Sequence, residues 1–394
     1  MTTSDFVKIP ISFILEMDDV GWDDGRDLRL KGQASRSGLP RNHAAEDYEF
    51  LNLLSQATGK RLGAALCLGD WDKDNLLRGQ VGITHDPFGW DRASEIDVEK
   101  FAHYRDLLEA GHIDYFLHGL LHGRYSETGS RINENEFYEK EILADGSLKV
   151  TFSEEDFRRR LDLFFKIYRS WGFSQEITGF VMPGGFTSTD EEVIGKICRI
   201  LHEYGIRYWA DEFRFPETLR VVEGVALFKW SRNGGNIPWE AYDFDPRELE
   251  PFYQEGSSKN SCLRGSHWTN YLRFHPKNNI QALDNWVTYY KTQEEVFGCA
   301  TADTLADAVN QLFYHEFAKL EVEGNRICVD LEEVSRQKLP CHRNVFYISL
   351  RKNVTPISWE GGTLEISEEH EAFRTYKIVH DSAVSKVCIE VHSK

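Results

Sequence analysis

The feature that most narrows the possible folds is an alternation of two hydrophobic periods over roughly the first three hundred of 394 residues. Short apolar, strand-compatible runs occur at Ile9 to Met17, Arg61 to Leu68, His112 to Leu117, Ile177 to Met182 and Ile206 to Ala210. Three- and four-residue spacing predicts helices over Ala44 to Gln56 and Ile96 to Glu109. It predicts another where Phe157, Leu161, Phe164, Phe165, Tyr168 and Trp171 line one face, with Ser153 placed to cap it and Gly172 to end it. Thr189-Asp190-Glu191-Glu192 reads as a capping box ahead of Val193, Ile197 and Leu201, and Gly205 is the stop. Leu219 to Trp230 and Thr269 to Phe274 add strands, and Ile280 to Val296 and Thr301 to His315 add helices. Strands joined through helices require crossovers, so the pattern predicts an α/β fold with a largely parallel sheet, a barrel or near-barrel.

The pattern changes after His315. Ala318 to Val322, Arg326 to Leu331, Val345 to Leu350, Thr363 to Ile366, Thr375 to Val379 and Val387 to Val391 are short alternating runs without helical spacing. They predict an appended antiparallel sheet or sandwich of about 80 residues. The expected division is a barrel over 1–312 and a small β domain over 313–394, the second acting mainly as a cover for barrel surface.

With 46 Lys and Arg against 64 Asp and Glu, the chain carries a net charge of −18. That balance opposes an electrostatic grip on nucleic acid or an anionic membrane. No run approaches the ~18 apolar residues of a membrane span, and Met1 to Ile9 lacks the basic end and apolar stretch of a signal peptide, so a cytoplasmic setting is expected. The seven cysteines are scattered, with no C-x-x-C, which predicts reduced thiols rather than a disulfide or zinc framework.

Parallel sheets collect chemistry where strands end, and three strand ends carry ionisable residues. Asp18 and Asp19 follow the first strand; alone, such a pair is most often a solvated turn, but two close carboxylates also favour a bound cation. His118 and His122 follow the third strand. If Gly119 to His122 begins a helical turn, the two imidazoles share a face and can close on one metal ion with a carboxylate from another strand. H-x-x-x-H arises readily by chance among 14 histidines, and the Asp pair is what raises its weight. His275 closes a late strand on which the pleat puts Arg273 on the same side. There is no G-x-S-x-G, H-E-x-x-H, Walker A or G-x-G-x-x-G.

In this order the features resemble the polysaccharide deacetylase superfamily, whose members have a distorted (β/α) barrel. The resemblance covers roughly residues 9 to 310. Asp18-Asp19 is similar to the first family motif, His118 to His122 to the metal-binding H-x-x-x-H, and Met182-Pro183-Gly184-Gly185 to the Pro-x-Gly turn. Asp211, after Tyr204-Gly205-Ile206, and the strand-terminal His275 match the later motifs. Two features depart from it. Val181 stands where the family has an orienting Arg, for which Arg273 could substitute, and Trp22-Asp23-Asp24-Gly25 offers a second Asp-Asp-Gly.

The resemblance implies a metal-dependent N-deacetylase acting on an N-acetylated sugar or polysaccharide. Asp19, His118 and His122 would hold a divalent ion, zinc by its donor set, with Asp18 as general base and His275 as the acid protonating the leaving amine. Pro183, Gly184, Asp211 and Arg273 would contact substrate or orient these groups. The implied partner is a carbohydrate, with neither nucleic acid nor membrane, and a homo-oligomer is left open. Trp22, Trp209, Trp239 and Trp268 lie near the strand ends, where stacking on sugar rings competes with a core role. The rivals are another metal-dependent hydrolase on the same barrel and a non-catalytic carbohydrate-binding protein.

Overall fold

The computed structural model describes residues 5–22, 41–144, 148–186, 188–230, 244–249, 251–257 and 260–393. Its centre is a nine-stranded sheet built from β1 (Ile11–Val20), β2 (Leu62–Cys67), β3 (Ile113–Gly119), β4 (Gly179–Val181), β5 (Tyr208–Asp211), β6 (Leu219–Val222), β7 (Val225–Lys229), β8 (Leu263–His267) and β9 (Cys299–Thr301). The order is β6-β7-β5-β4-β3-β2-β1-β8, with β9 also on β1. Every pairing is parallel except the β6–β7 hairpin. All ten residues of β1 are buried, as a strand covered on both faces of a parallel sheet should be. One edge of β1 serves two partners: Ile11 to Phe13 pair with β9, and Ile14 to Asp18 pair with β8. Among the described residues β6 and β8 do not pair with each other, so the sheet is curled and open rather than a closed barrel.

Helices α1 (Ala45–Thr58), α2 (Val98–Ala110), α3 (Glu154–Ser170), α4 (Glu191–Glu203), α5 (Leu283–Glu294) and α6 (Leu305–Phe317) connect and flank the strands. In α3 the Ser153 hydroxyl accepts the Asp156 N–H at the start, and Phe157, Leu161, Phe164 and Tyr168 are buried. Each such side chain contributes about 1.5–3 kcal/mol of burial, and Phe164→Ala would cost about 3–5 kcal/mol. The cap of α4 is Asp190, not Thr189: its carboxylate accepts from Glu192 and Val193 N–H, a stronger acceptor one residue later than the hydroxyl.

Three further elements differ from expectation. The run Leu219 to Trp230 folds back as the β6–β7 hairpin, because Glu223 and Gly224 take φ values of +49° and +79° and close a tight turn. The strand expected at Thr269 to Phe274 is a 3-10 turn over Trp268–Tyr271, and the strand lies earlier, at β8. Asn270 Oδ1 accepts the His267 N–H, a local bond that ends the strand and starts the turn. The chain then runs through a second 3-10 segment, Pro276–Ala282, before α5 begins.

Beyond α6 come β10 (Lys319–Glu323), β11 (Arg326–Asp330), β12 (Val345–Arg351), β13 (Val354–Glu360), β14 (Gly362–Glu369), β15 (Phe373–His380) and β16 (Lys386–Ser393). They form two separate antiparallel sheets, β10-β11-β16-β13 and β12-β15-β14, the latter extended by the short strand Val7–Lys8 on β12. Residue 312 falls within α6, whose Gln311 bonds both Pro10 O and Tyr347 O, so this helix ties the two parts together. Cys328 and Cys388 sit directly opposite each other on β11 and β16 and form a disulfide. This corrects the expectation of seven reduced thiols: antiparallel register brings their Cα atoms to 4.2 Å, a proximity that spacing in the sequence cannot reveal. No helix among the described residues is long and apolar enough to cross a membrane.

Candidate functional site

Regular pleating would send Asp18 and Asp19 to opposite faces of β1. The β1–β2 register shifts between Met17 and Val20, and Asp19 takes φ +67°, so the strand bulges at the Asp pair. The neighbouring strand does the same. The β2–β3 register slips between Leu66 and Cys67, which pair with Leu117 and Gly119, leaving His118 at the irregularity. Bulges of this kind re-aim side chains. His122 follows in an irregular turn at φ +48°, not in the helical turn that the spacing suggests. Thus, among the described residues, two of the five non-glycine residues with positive φ carry groups of this one cluster, as expected where backbone strain serves a site.

Asp19 Oδ1 lies 3.5 Å from His118 Nε2 and 3.6 Å from His122 Nε2, and one ligand atom from each residue falls within 4.8 Å of the others. All three are buried. Both oxygens of Asp19 and Nε2 of His118 are buried without a partner at hydrogen-bond geometry. Two imidazoles and a carboxylate gathered within 4.8 Å of one another are the donor set of an open divalent-cation site, so these residues fit such an ion.

The electrostatics agree. Burial alone would raise the Asp19 carboxyl, but the charges of His122, His118 and His267 and the contact with His118 hold it well below the usual range. Burial would lower His118, yet the charges of Asp18 and Asp19 and its bond to the Val181 carbonyl push it up to about 9. Asp18 is buried, with Oδ1 3.9 Å from His118 Nδ1. The His122 ring stacks on Trp22 at 5.3 Å with planes 5° apart, and Arg131 Nη2 donates to His122 O at 2.5 Å.

Pro183 and Gly184 form the turn after β4, closed by Gly185 N–H donating to Met182 O and requiring φ +70° at Gly184. This turn directly follows Val181, whose carbonyl accepts from His118. Asp211, at the end of β5, is fully buried and accepts from Phe186 N–H, Glu212 N–H and Trp209 Nε1–H; burial pushes its carboxyl up to about 7. It therefore clamps the far end of the Pro-Gly loop.

His275 and Arg273 do not sit as the sequence suggested, because the strand meant to carry them is absent. His275 is exposed at the head of the Pro276–Ala282 segment. Arg273 is half-buried, its N–H on Asn279 Oδ1 and its carbonyl on Arg41. The histidine that ends a strand beside the Asp pair is His267, in register with Asp18 and buried. Leu263 to His267 escaped detection because Arg264, Gly265 and Ser266 break any apolar run. Asp23-Asp24 and Trp239 lie outside the described residues, while Trp209 and Trp268 are fully buried core.

A segment with no sequence signal staples the site loops together. Asn135 Nδ2 donates to Pro183 O and Gly185 O, Tyr138 OH donates to Gly185 O, and the Glu136 carboxylate accepts from Leu120 and Leu121 N–H. Asn-Glu-Phe-Tyr in a loop gives no hint of burial.

No protein-family model matches the chain, and no curated protein matches it. Solved structures with a similar trace include a family 4 carbohydrate esterase from Streptomyces lividans in complex with acetate, at 9% identity and TM-score 0.33, covering 74% of this chain and 92% of that one. A candidate polysaccharide deacetylase from Mycobacterium smegmatis gives 12% and 0.30, covering 74% and 76%. A GH57-type branching enzyme from Pyrococcus horikoshii gives 14% and 0.33, covering 78% and 64%. With scores this low, the functional reading rests on the site itself.

Proposed function

We propose that the chain is a metal-dependent hydrolase that removes acetyl groups from an N-acetylated sugar, with its chemistry in the parallel-sheet part, 1–312. The observation that carries this reading is the convergence of Asp19, His118 and His122 beside Asp18 and His267 at neighbouring strand ends. Asp19, His118 and His122 would hold the divalent cation, and the mixed nitrogen and oxygen set suits zinc. When bound, such an ion polarises a carbonyl and lowers the pKa of water from near 16 towards about 7.

The chain's own groups supply the proton transfers. Asp18, beside the ligand set, accepts the proton of the attacking water, and His267 donates one to the departing amine, without which a poor anionic leaving group would have to form. His267 takes the role that the resemblance implies for His275. Asp211 and the Pro183-Gly184 turn fix the Val181 carbonyl and so the His118 ring. The choice of an acetamide as the scissile bond follows from the order of motifs, which resembles the sugar deacetylases.

The test is acetate release from N-acetylated oligosaccharides by the zinc-loaded protein. We expect release, its loss in Asp18→Asn, and loss of both release and zinc in His118→Ala. Zinc bound at one equivalent without acetate release would favour a different hydrolase on this site. No metal uptake at all would leave a carbohydrate-binding protein as the better reading.

A further inference from the structure

Glu136 is a fully buried carboxylate that none of the proton transfers above uses. Its Oε1 and Oε2 both lie 2.9 Å from Leu120 N, and Oε2 lies 3.1 Å from Leu121 N. These two N–H groups belong to the irregular turn between His118 and His122, which has no helical or strand ladder to satisfy them. Gly119 approaches the same carboxylate so closely that a Cβ there would meet Glu136 Oε2 at 2.6 Å, and its φ is +139°. Behind Glu136 stands Arg160, also fully buried, with Nη1 3.7 Å from Oε1, Nε on Asp156 at 3.1 Å and Nη2 on Gly82 O at 2.8 Å. Arg160 comes from α3, so the carboxylate is anchored to a helix rather than to another loop.

A buried ion pair is a poor source of stability against an apolar pair of equal volume. This one instead fixes a geometry: two converging N–H bonds hold the backbone between the imidazoles, so the distance between His118 and His122 depends on Glu136. We infer that Glu136 is a positioning residue for the His118/His122 metal site, anchored by Arg160. This inference rests on the metal-site reading above. Glu136→Gln keeps one acceptor for the turn but can turn an amide N–H₂ toward Arg160 Nη1, leaving Asp156 as the carboxylate paired with that buried cation.

The test measures Zn²⁺ affinity by competition titration and the visible spectrum of the Co²⁺-loaded protein, with thermal unfolding of the metal-free protein alongside. We expect Glu136→Gln to weaken Zn²⁺ binding by about 10- to 100-fold, the range for residues that orient metal ligands, and to shift the Co²⁺ bands. Glu136→Asp, which keeps the charge but shortens the reach to the Leu120 and Leu121 N–H groups, should do the same and serves if Glu136→Gln does not fold. Wild-type affinity and an unchanged Co²⁺ spectrum in a folded variant, whatever its unfolding temperature, would overturn the inference while leaving the site intact. Absence of Zn²⁺ binding by the unmodified protein would overturn the metal-site reading itself, and this inference with it.

Discussion

His118 Nδ1 lies 2.8 Å from the carbonyl oxygen of Val181, and this bond decides which face of the imidazole meets Asp19. A carbonyl only accepts, so Nδ1 carries hydrogen, and it is Nε2, once deprotonated, that offers its lone pair on the Asp19 side. A backbone atom of Val181 therefore orients the ring.

The same ring makes the metal-free protein pH-sensitive. His118 is raised from 6.5 to about 9, mainly by Asp18 and Asp19 against the opposing effect of burial. Its folded value lies above its unfolded one, so this contribution to stability is complete below about pH 6.5 and is lost as pH rises through about 9. Metal-free protein should unfold at progressively lower temperature over that window. Zinc binding near pH 7.5 should release a proton, seen in calorimetry as a heat that changes with the buffer's ionisation enthalpy. Both effects should vanish in His118→Gln; a heat independent of buffer would contradict the assignment.

Asp211 works in a different window. Its carboxyl is raised from 3.8 to about 7, chiefly by burial, so the folded chain keeps a proton that the unfolded chain has released. Stability from this group falls as pH rises from about 4 through 7. Asp211→Asn cannot ionise and should flatten that slope in urea unfolding at pH 5 and 7. It also sets an amide N–H₂ against Trp209 Nε1–H, which should cost about 1–3 kcal/mol at the lower pH. An unchanged slope would mean that Asp211 does not titrate in this range.

The Cys328–Cys388 bond closes a loop of sequence separation 60 and should matter most to the C-terminal sheets. Chain-entropy arguments put its contribution at roughly 4 kcal/mol at 25 °C, against a usual range of about 0–5. Cys328→Ser with Cys388→Ser should lower the unfolding temperature and leave zinc affinity unchanged, since neither residue touches the site. Equal stability with and without reductant in the unmodified protein would refute the contribution.

What could be read from the sequence was whatever rests on local periodicity or on short motifs at strand ends. The run of apolar residues in β1, the helical stripe Phe157 to Tyr168 and the pairs Asp18-Asp19 and His118/His122 all declare themselves that way. What could not be read depends on partners distant along the chain. β8 is a strand only because it lies in register with β1, and Arg264 and Gly265 hide it. Gly265 is obligatory there, since a Cβ would meet the Trp230 indole at 1.5 Å. Glu136 and Arg160 look like solvated charges until folding buries both, and the disulfide appears only once β11 and β16 are paired.

The two histidines that compete for the acid role give the sharpest kinetic test. His267 ends β8 in register with Asp18, is buried, and acts electrostatically on Asp19. His275 is exposed, its ring packed edge-on against Phe274 at 5.0 Å. A general acid typically contributes about 10²- to 10⁴-fold. His267→Gln should therefore lower kcat for acetate release by that factor while zinc stays bound at one equivalent. His275→Gln should leave kcat within about twofold, as expected for a surface residue far from a named destabilising mechanism. If His275→Gln were the variant to lose activity, the proton donor would have to reach the substrate from the exposed loop, and the strand-end site described for His267 would be wrong.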